Sequence, residues 1–461
     1  MNYCDVLNIV NGKLMCGSIK KKIKNIQIDS RKVKRNDLFI ALIGKNHDSH
    51  NYIKQVLKHK PSCIIVCKKV DIKTKVPIIL VEDTNDSLIK LGTFFKNKYN
   101  VPVVAITGSI GKTTTKELIN DILSKKYKVL KSEKNYNNHI GIPLTLFKLN
   151  KSYDICVLEM GMNHLKEISV LSKMARPDVG VITNIGSAHI GNLGNQKNIF
   201  KAKMEIVDGM DDGLLIVNGK DKYLKKVKYF NTFKCGIDLC PYNIKINDKV
   251  SFDLIINNKN YHFIYNSNNI SLIMNFVLAI KVGLLFNINV EDIKEVVKNY
   301  QMPKERMNVY VKNNIKIIND CYNASYESVI AILDVLKCEK NEKIVILGDI
   351  LELGKHSKTI HKKIGKKLKQ LKNSTILLVG SEVKYIKGKH YKYFNNNKEL
   401  IDYLKKINLN NKTILIKGSR NMHLEEVDNF LKIWHKIILC YNNPCLRGNL
   451  LWKKQNYYQN K

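Results

Sequence analysis

Apolar and polar positions along the chain fall into three differently patterned stretches. From residue 1 to about 98, short apolar runs (Leu38 to Leu42, Cys63 to Cys67, Pro77 to Val81) alternate with polar turns, which predicts a small α/β unit. From Val101 onward the runs VPVVAIT, DICVLEM and VGVITNI are apolar at consecutive positions, as strands buried on both faces are. Lys112 to Lys125 reads as the helix that follows the first of these strands. A second strand–helix series, IKIIND, KIVILGD, TILLVG and KTILIKG, fills the last third. The lysine- and asparagine-rich stretch from about 219 to 269 predicts strands and loops at the edge of the middle unit. Tyr300 to Met307, with Pro303, reads as a hinge. The expected architecture is therefore α/β with three domains, at 1–98, 99–308 and 309–461. The middle one would have a mostly parallel sheet and the last a Rossmann-like sheet. The tail beyond Asn442 has little pattern and is expected to be mobile.

Composition changes this picture little. With 44% hydrophobic and 26% charged residues, the 461-residue chain can bury ordinary cores, and its length suits about three domains. No apolar run approaches the ~18 residues of a membrane-spanning helix, and the start, MNYCDVLNIV, lacks the basic segment of a secretory signal. Eleven cysteines without a C-x-x-C pair suggest free thiols in a reducing cytoplasm. The formal charge of +38 would suggest a polyanion partner. Yet of 78 basic residues only six are arginines, leaving 72 lysines spread along the whole chain. Nucleic-acid readers favour clustered arginine, so this distribution reads as compositional drift, and no specific nucleic-acid partner is expected.

The sharpest chemical signal is TGSIGKTTTK, Thr107 to Lys116, placed between a strand and a helix. Gly108 and Gly111 let the backbone close around phosphate oxygens, and the helix N-terminus supplies amide donors. Lys112 can reach the outer phosphates and Thr113 can ligate magnesium, with Thr107, Ser109, Ile110 and Thr114 completing an ATP-binding loop. Ile106 stands where the full pattern would have glycine, so this is the shortened form. Three further candidates lie at or beyond strand ends. Glu159 alone would be a surface charge or a cap, but beside a phosphate loop it is a suitable magnesium ligand. His189 follows a strand whose C-terminal end faces the ligand crevice of such sheets. Lys203, one of 72 lysines, is singled out only by context.

That context is a resemblance. TGSIGKTTTKE, NYNNHIGIPLTL, LEMGMNH, TNIGSAHIGNLG and KAKME, followed by ERM, INDCYNAS, LGDILELG and KGSRNMHLE, resemble the Mur ligase family of ATP-dependent amide-forming enzymes in peptidoglycan synthesis. DSRKVKRNDLFIAL and GKNHDSHNYI extend the resemblance into the first domain, so that it covers about residues 25 to 435. LGDILELG with KGSR looks most like the member that adds D-Ala-D-Ala to UDP-MurNAc-tripeptide through an acyl phosphate, forming the pentapeptide.

The resemblance implies ATP and two Mg²⁺ ions as cofactors, with Thr113 and Glu159 on one ion and His189 on the other. Lys203 matches a lysine that is carried as a carbamate, formed with CO₂. Lys112, Lys203, His189 and Arg306 would be catalytic, and Asn275, Arg306, Asp320 and Asn323 would help to hold ATP. Substrate would meet Ser30, Arg31 and His50 of a UDP-sugar-peptide-binding first domain, Asn137, Asn138 and Asn163 of the second, and Lys417 and Arg420 of the third. A monomer in the cytoplasm is expected. Two departures stand out. Ser271 and Leu272 replace a His-Asn pair that contacts adenine in the family, and Ser325-Tyr326 stands where Asn-Pro is common. Other readings are a Mur-type ligase adding a single amino acid, folylpolyglutamate synthase (disfavoured by the DSR motif), a decayed ligase, and a basic P-loop nucleic-acid-binding protein.

Overall fold

The computed structural model describes residues 1–44, 46–247, 249–302 and 307–442. Its three main sheets follow one another along the chain, and each begins or ends in short polar edge strands around a fully buried parallel centre.

In the first, Ile26–Gln27, Leu38–Ile40, Cys63–Val66 and Ile78–Leu80 run parallel, and Lys13–Cys16 adds an antiparallel edge. Successive side chains of a strand point to opposite faces. Leu38, Ile40, Cys63 and Ile65 therefore pack against the helices Tyr3–Val10 and Thr84–Tyr99, while Phe39, Ile64 and Val66 meet the short helix Ile53–Lys58.

The second sheet is parallel throughout, in the order Thr232–Cys235, Leu214–Asn218, Val179–Ile182, Val103–Thr107, Ile155–Glu159, Val129–Lys131. Val103–Thr107 is central although it comes first in the chain. The connections leave it to one side and later return on the other, which opens a crevice at its C-terminal end. The helix Lys112–Leu123 starts there and packs against Ile273–Leu285. An antiparallel meander, Tyr242–Ile246, Val250–Ile256 and Lys259–Tyr265, occupies the lysine- and asparagine-rich stretch.

In the third sheet Ile315–Asp320, Thr413–Lys417, Lys343–Gly348, Ser374–Val379 and Lys392–Phe394 are parallel, with Asn308–Lys312 as an antiparallel edge. Helices Tyr326–Lys337 and Ser357–Leu368 cover one face, and Asn397–Leu404 and Glu425–Asn442 the other. Half of the expected hinge, residues 303–306, and the tail beyond Asn442 lie outside the described residues. Among the described residues no helix is long and apolar enough to cross a membrane, and nine cysteines are free.

The loop after Lys343–Gly348 is fastened from below. The buried Asp349 carboxylate accepts the backbone N–H groups of Ser381, Glu382 and Val383 at 3.0, 2.9 and 2.8 Å. His361, fully buried, accepts the Ile350 N–H on Nε2 at 3.3 Å. Burial pushes this imidazole below the ordinary 6.5, against a weaker pull upward from the Ser357 carbonyl, Asp349 and Glu382. The fold thus favours neutral His361. The stability it contributes is complete above the unfolded value near 6.5 and is lost as pH falls through that value toward the lower folded one. Urea midpoints should decline from about pH 7 to about pH 5. His361→Gln, which keeps an acceptor for Ile350, should flatten that decline; an unchanged slope would exclude His361 as its source.

Candidate active site

The phosphate loop sits at the switch point of the central sheet, and its shape is held by its neighbours. Gly108 has φ 151° and Gly111 φ 78°, and a Cβ on Gly108 would lie 1.8 Å from Thr183 Oγ1. Only glycine fits that approach. The Asn184 side-chain oxygen accepts the N–H groups of Ser109 and Ile110 at 3.1 and 3.0 Å, and the Thr183 hydroxyl donates to the Ile110 carbonyl at 2.5 Å. Lys112 folds over the loop, its Nζ 2.8 Å from the Gly108 carbonyl. Thr107 is buried at the strand end, Thr114 points inward from the first helical turn, and Asn275 lies against Gly111.

Glu159 ends the neighbouring strand with its carboxylate buried. Oε2 accepts the Thr113 hydroxyl at 2.8 Å and Oε1 accepts Asn137 Nδ2 at 3.1 Å, while its backbone N–H donates to Ser132 Oγ at 3.0 Å. Oxygen donors of this kind suit magnesium. Among the described residues no group of three His, Cys, Asp or Glu gathers as a cage, so an ion here would need phosphate oxygens and water to complete its shell.

Lys203 is fully buried on the helix Gln196–Met204, and among the described residues it makes no ion pair. Burial drives its amine well below the ordinary value, with the Lys112 charge pushing the same way. A neutral amine is the form that captures CO₂, so the residue fits a carbamate.

His189 lies beyond the Val179–Ile182 strand, and its Nδ1 is 2.7 Å from Glu352 Oε2 of the third domain. The contact holds the Glu352 carboxyl below its usual range, opposed by partial burial. Asp320 ends its strand with Oδ2 2.6 Å from the buried Lys417 Nζ and Oδ1 accepting the Met307 N–H at 3.2 Å. Lys417 also donates to the Asn323 carbonyl at 3.1 Å, so it lies under the cleft floor rather than open to it. Arg420 is exposed over the Tyr322 ring at 5.6 Å. A cleft of about 310 Å³ joins Ser109–Lys112, His189, Asn275, Asp320, Asn323 and Arg420, with Ser271 and Leu272 in its wall. Arg306 lies outside the described residues.

The remaining candidates stand apart from that cleft. Asn138 Oδ1 accepts Ile140 N and Gly141 N in the turn before the Gly141–Leu146 helix, and Asn163 is exposed with its N–H on Glu167. In the first domain Ser30 begins a short 3₁₀ turn, and the exposed Arg31 forks onto Asp29 at 2.9 and 3.0 Å. The His50 side chain is largely covered: its Nε2 accepts the Cys67 N–H at 3.0 Å, so the proton sits on Nδ1, 2.7 Å from Asp48.

Sequence reasoning missed Thr183, Asn184, Ser132 and Glu352. Asn184 had a signal, since it directly follows a strand adjoining the phosphate loop; Glu352 had none beyond its place in LGDILELG. Asn184→Ala should weaken ATP binding by about tenfold, the worth of one to two hydrogen bonds. Calorimetric titration with a nonhydrolysable ATP analogue measures this, and unchanged affinity would mean that the glycines alone shape the loop.

Residues 106–291 match the Mur ligase middle domain and residues 305–420 the Mur ligase glutamate ligase domain. The UDP-N-acetylmuramoyl-tripeptide–D-alanyl-D-alanine ligase of Buchnera aphidicola is 32% identical, with 95% of this chain and 99% of that protein covered. Among solved structures, MurF from Acinetobacter baumannii superposes with a TM-score of 0.87 at 29% identity, covering 93% of this chain and 98% of that one. The MurF ligase of Thermotoga maritima in complex with ADP gives 0.80 at 26% identity, covering 88% and 96%. With its phosphate loop, three α/β domains and match along almost its whole length, the chain belongs to the Mur ligase family, in the UDP-N-acetylmuramoyl-tripeptide–D-alanyl-D-alanine ligase branch.

Proposed function

We propose that this protein joins D-Ala-D-Ala to UDP-MurNAc-tripeptide at the expense of ATP, in the cytoplasm. The observation that carries the reading is a phosphate loop whose Thr113 is bonded to the buried Glu159 carboxylate, with a buried, easily deprotonated Lys203 within electrostatic reach of Lys112.

A carboxylate is a poor acyl donor until its oxygen is converted into a better leaving group. Phosphoryl transfer from ATP to the tripeptide's terminal carboxylate does this, and the dipeptide amine then displaces phosphate to form the amide. Lys112 and the amides at the start of its helix would hold the transferring phosphoryl group. Thr113 and Glu159 would hold magnesium, with His189 and Lys203, as its carbamate, holding a second ion. Magnesium there would offset charge as it moves between the two substrates. Capture of CO₂ by the neutral Lys203 amine, with release of a proton, would give an anion with two oxygen donors. Asp320, Asn323 and Asn275 would meet the nucleoside, Arg420 the peptide side, and Ser30, Arg31 and His50 the uridine diphosphate. The nearest second reading, a ligase adding a single amino acid, differs only in the amine accepted.

Phosphate release from ATP with Mg²⁺ and UDP-MurNAc-tripeptide should depend on D-Ala-D-Ala, with little turnover on diaminopimelate, lysine or no amine. Mass spectrometry should find the pentapeptide; dependence on another amine would move the enzyme to a different step. Lys203→Ala should lower kcat by more than about a thousandfold, the scale of an essential group in a charge-stabilising site, and bicarbonate should not restore it. Full activity in that variant would remove Lys203 from the mechanism.

A further inference from the structure

Lys116 closes the phosphate-loop motif, has no task in the reaction so far, and is almost completely buried. It lies one helical turn beyond Lys112. Lys112 Nζ turns to the Gly108 carbonyl, whereas Lys116 Nζ donates to the Ser132 carbonyl at 2.9 Å and lies 3.0 Å from Glu117 Oε1. The other Glu117 oxygen is paired with Lys131. Burying a lysine is costly unless its amine is bonded. Here the bond is directed to the residue just past the end of a strand.

Ser132 follows the edge strand Val129–Lys131, which pairs in parallel with Ile155–Glu159 as far as Lys131 opposite Val157. Its N–H continues the ladder, donating to the Val157 carbonyl at 3.0 Å. In a parallel ladder the next bond would run from the Glu159 N–H to the Ser132 carbonyl. That carbonyl is bonded to Lys116, and the Ser132 hydroxyl accepts the Glu159 N–H instead, at 3.0 Å. A side chain thus replaces a backbone acceptor at the residue whose carboxylate meets Thr113 at 2.8 Å and Asn137 at 3.1 Å. Towards the sheet centre the same strand end is fixed by the Met160 N–H on the Ile106 carbonyl at 2.7 Å. Lys116, Ser132 and Glu159 are each 3% exposed or less, so a partner removed here is not replaced from bulk solvent.

We propose that Ser132 is a positioning residue for Glu159. With Lys116 occupying its carbonyl, its hydroxyl sets the strand end from which the Glu159 carboxylate reaches Thr113, and thereby the affinity of that pair for a divalent cation. The cation rests on the ligase reading above; the hydrogen bonds do not. Thr113 and Glu159 supply only two of the oxygen donors that an octahedral ion requires, so the placement of each counts.

Electron paramagnetic resonance measures free Mn²⁺ in titrations of the full chain with ADP present, with Glu159→Gln as the reference variant. Ser132→Ala should weaken Mn²⁺ binding by about 10–100-fold, and Glu159→Gln by at least as much. ADP binding without metal, followed by calorimetry, should stay at the wild-type level in Ser132→Ala. Ser132→Thr keeps the hydroxyl and should recover most of the loss. Lys116→Met fills nearly the same space without a donor and releases the Ser132 carbonyl to compete for the Glu159 N–H. It should weaken Mn²⁺ binding in the same direction, and it carries the test should Ser132→Ala fail to fold. Raised Mg²⁺ should restore turnover in Ser132→Ala, as a lowered affinity allows and a damaged fold does not. In hydrogen exchange of the metal-free protein the Glu159 amide should lose protection in Ser132→Ala while the Met160 amide keeps it. Wild-type Mn²⁺ affinity in Ser132→Ala, with Glu159→Gln weakened, would overturn the proposal, as would an equal loss of metal-free ADP binding. Wild-type affinity in Glu159→Gln would instead overturn the assignment of the ion to Glu159, leaving exchange at its amide to decide whether Ser132 holds that strand end.

Discussion

The hydrogen bonds from Ser109 and Ile110 to Asn184 Oδ1 are the constraint on which the site is built. They bind a glycine-rich loop, which by itself would sample many shapes, to the end of the next parallel strand. With the loop fixed, the helix from Lys112 has a set direction, Thr113 meets Glu159, and the crevice has a floor. The segment that supplies this anchor then runs on to His189 and the third domain. Phosphate binding and domain contact therefore share one stretch of chain.

Much of this was legible in the sequence, for identifiable reasons. The central strands are buried on both faces, so VVAI, ICVL and IVIL run without a polar residue and could be placed directly. Edge strands carry no such pattern. Lys13–Cys16, Asn308–Lys312 and Lys392–Phe394 are short and partly exposed, and they exist because a neighbour offers backbone partners. The phosphate loop was readable because its spacing is itself the physics. Glu352 was not, because its partner is distant in the chain and the pairing exists only once two domains meet.

Lysine shows the same limit from another side. In a chain with 72 of them, sequence cannot separate Lys203 and Lys417, both fully buried, from the solvated majority. The two are buried for opposite purposes. Lys417 sits against the Asp320 carboxylate and two carbonyls, so it braces the ends of adjoining strands. Lys203 has no such counter-charge among the described residues, and its environment favours the neutral amine.

The entry of the chain into the third domain has a mechanical consequence. Asn308–Lys312 is the edge strand, and it hairpins straight back into Ile315–Asp320, with Asn308 opposite Asn319. The chain thus enters the third sheet beside Asp320, whose carboxylate accepts the Met307 N–H. The first hairpin of that sheet and a wall of the cleft are accordingly one structure. A ligand that pulls on Asp320 therefore pulls on the strands through which the third domain begins.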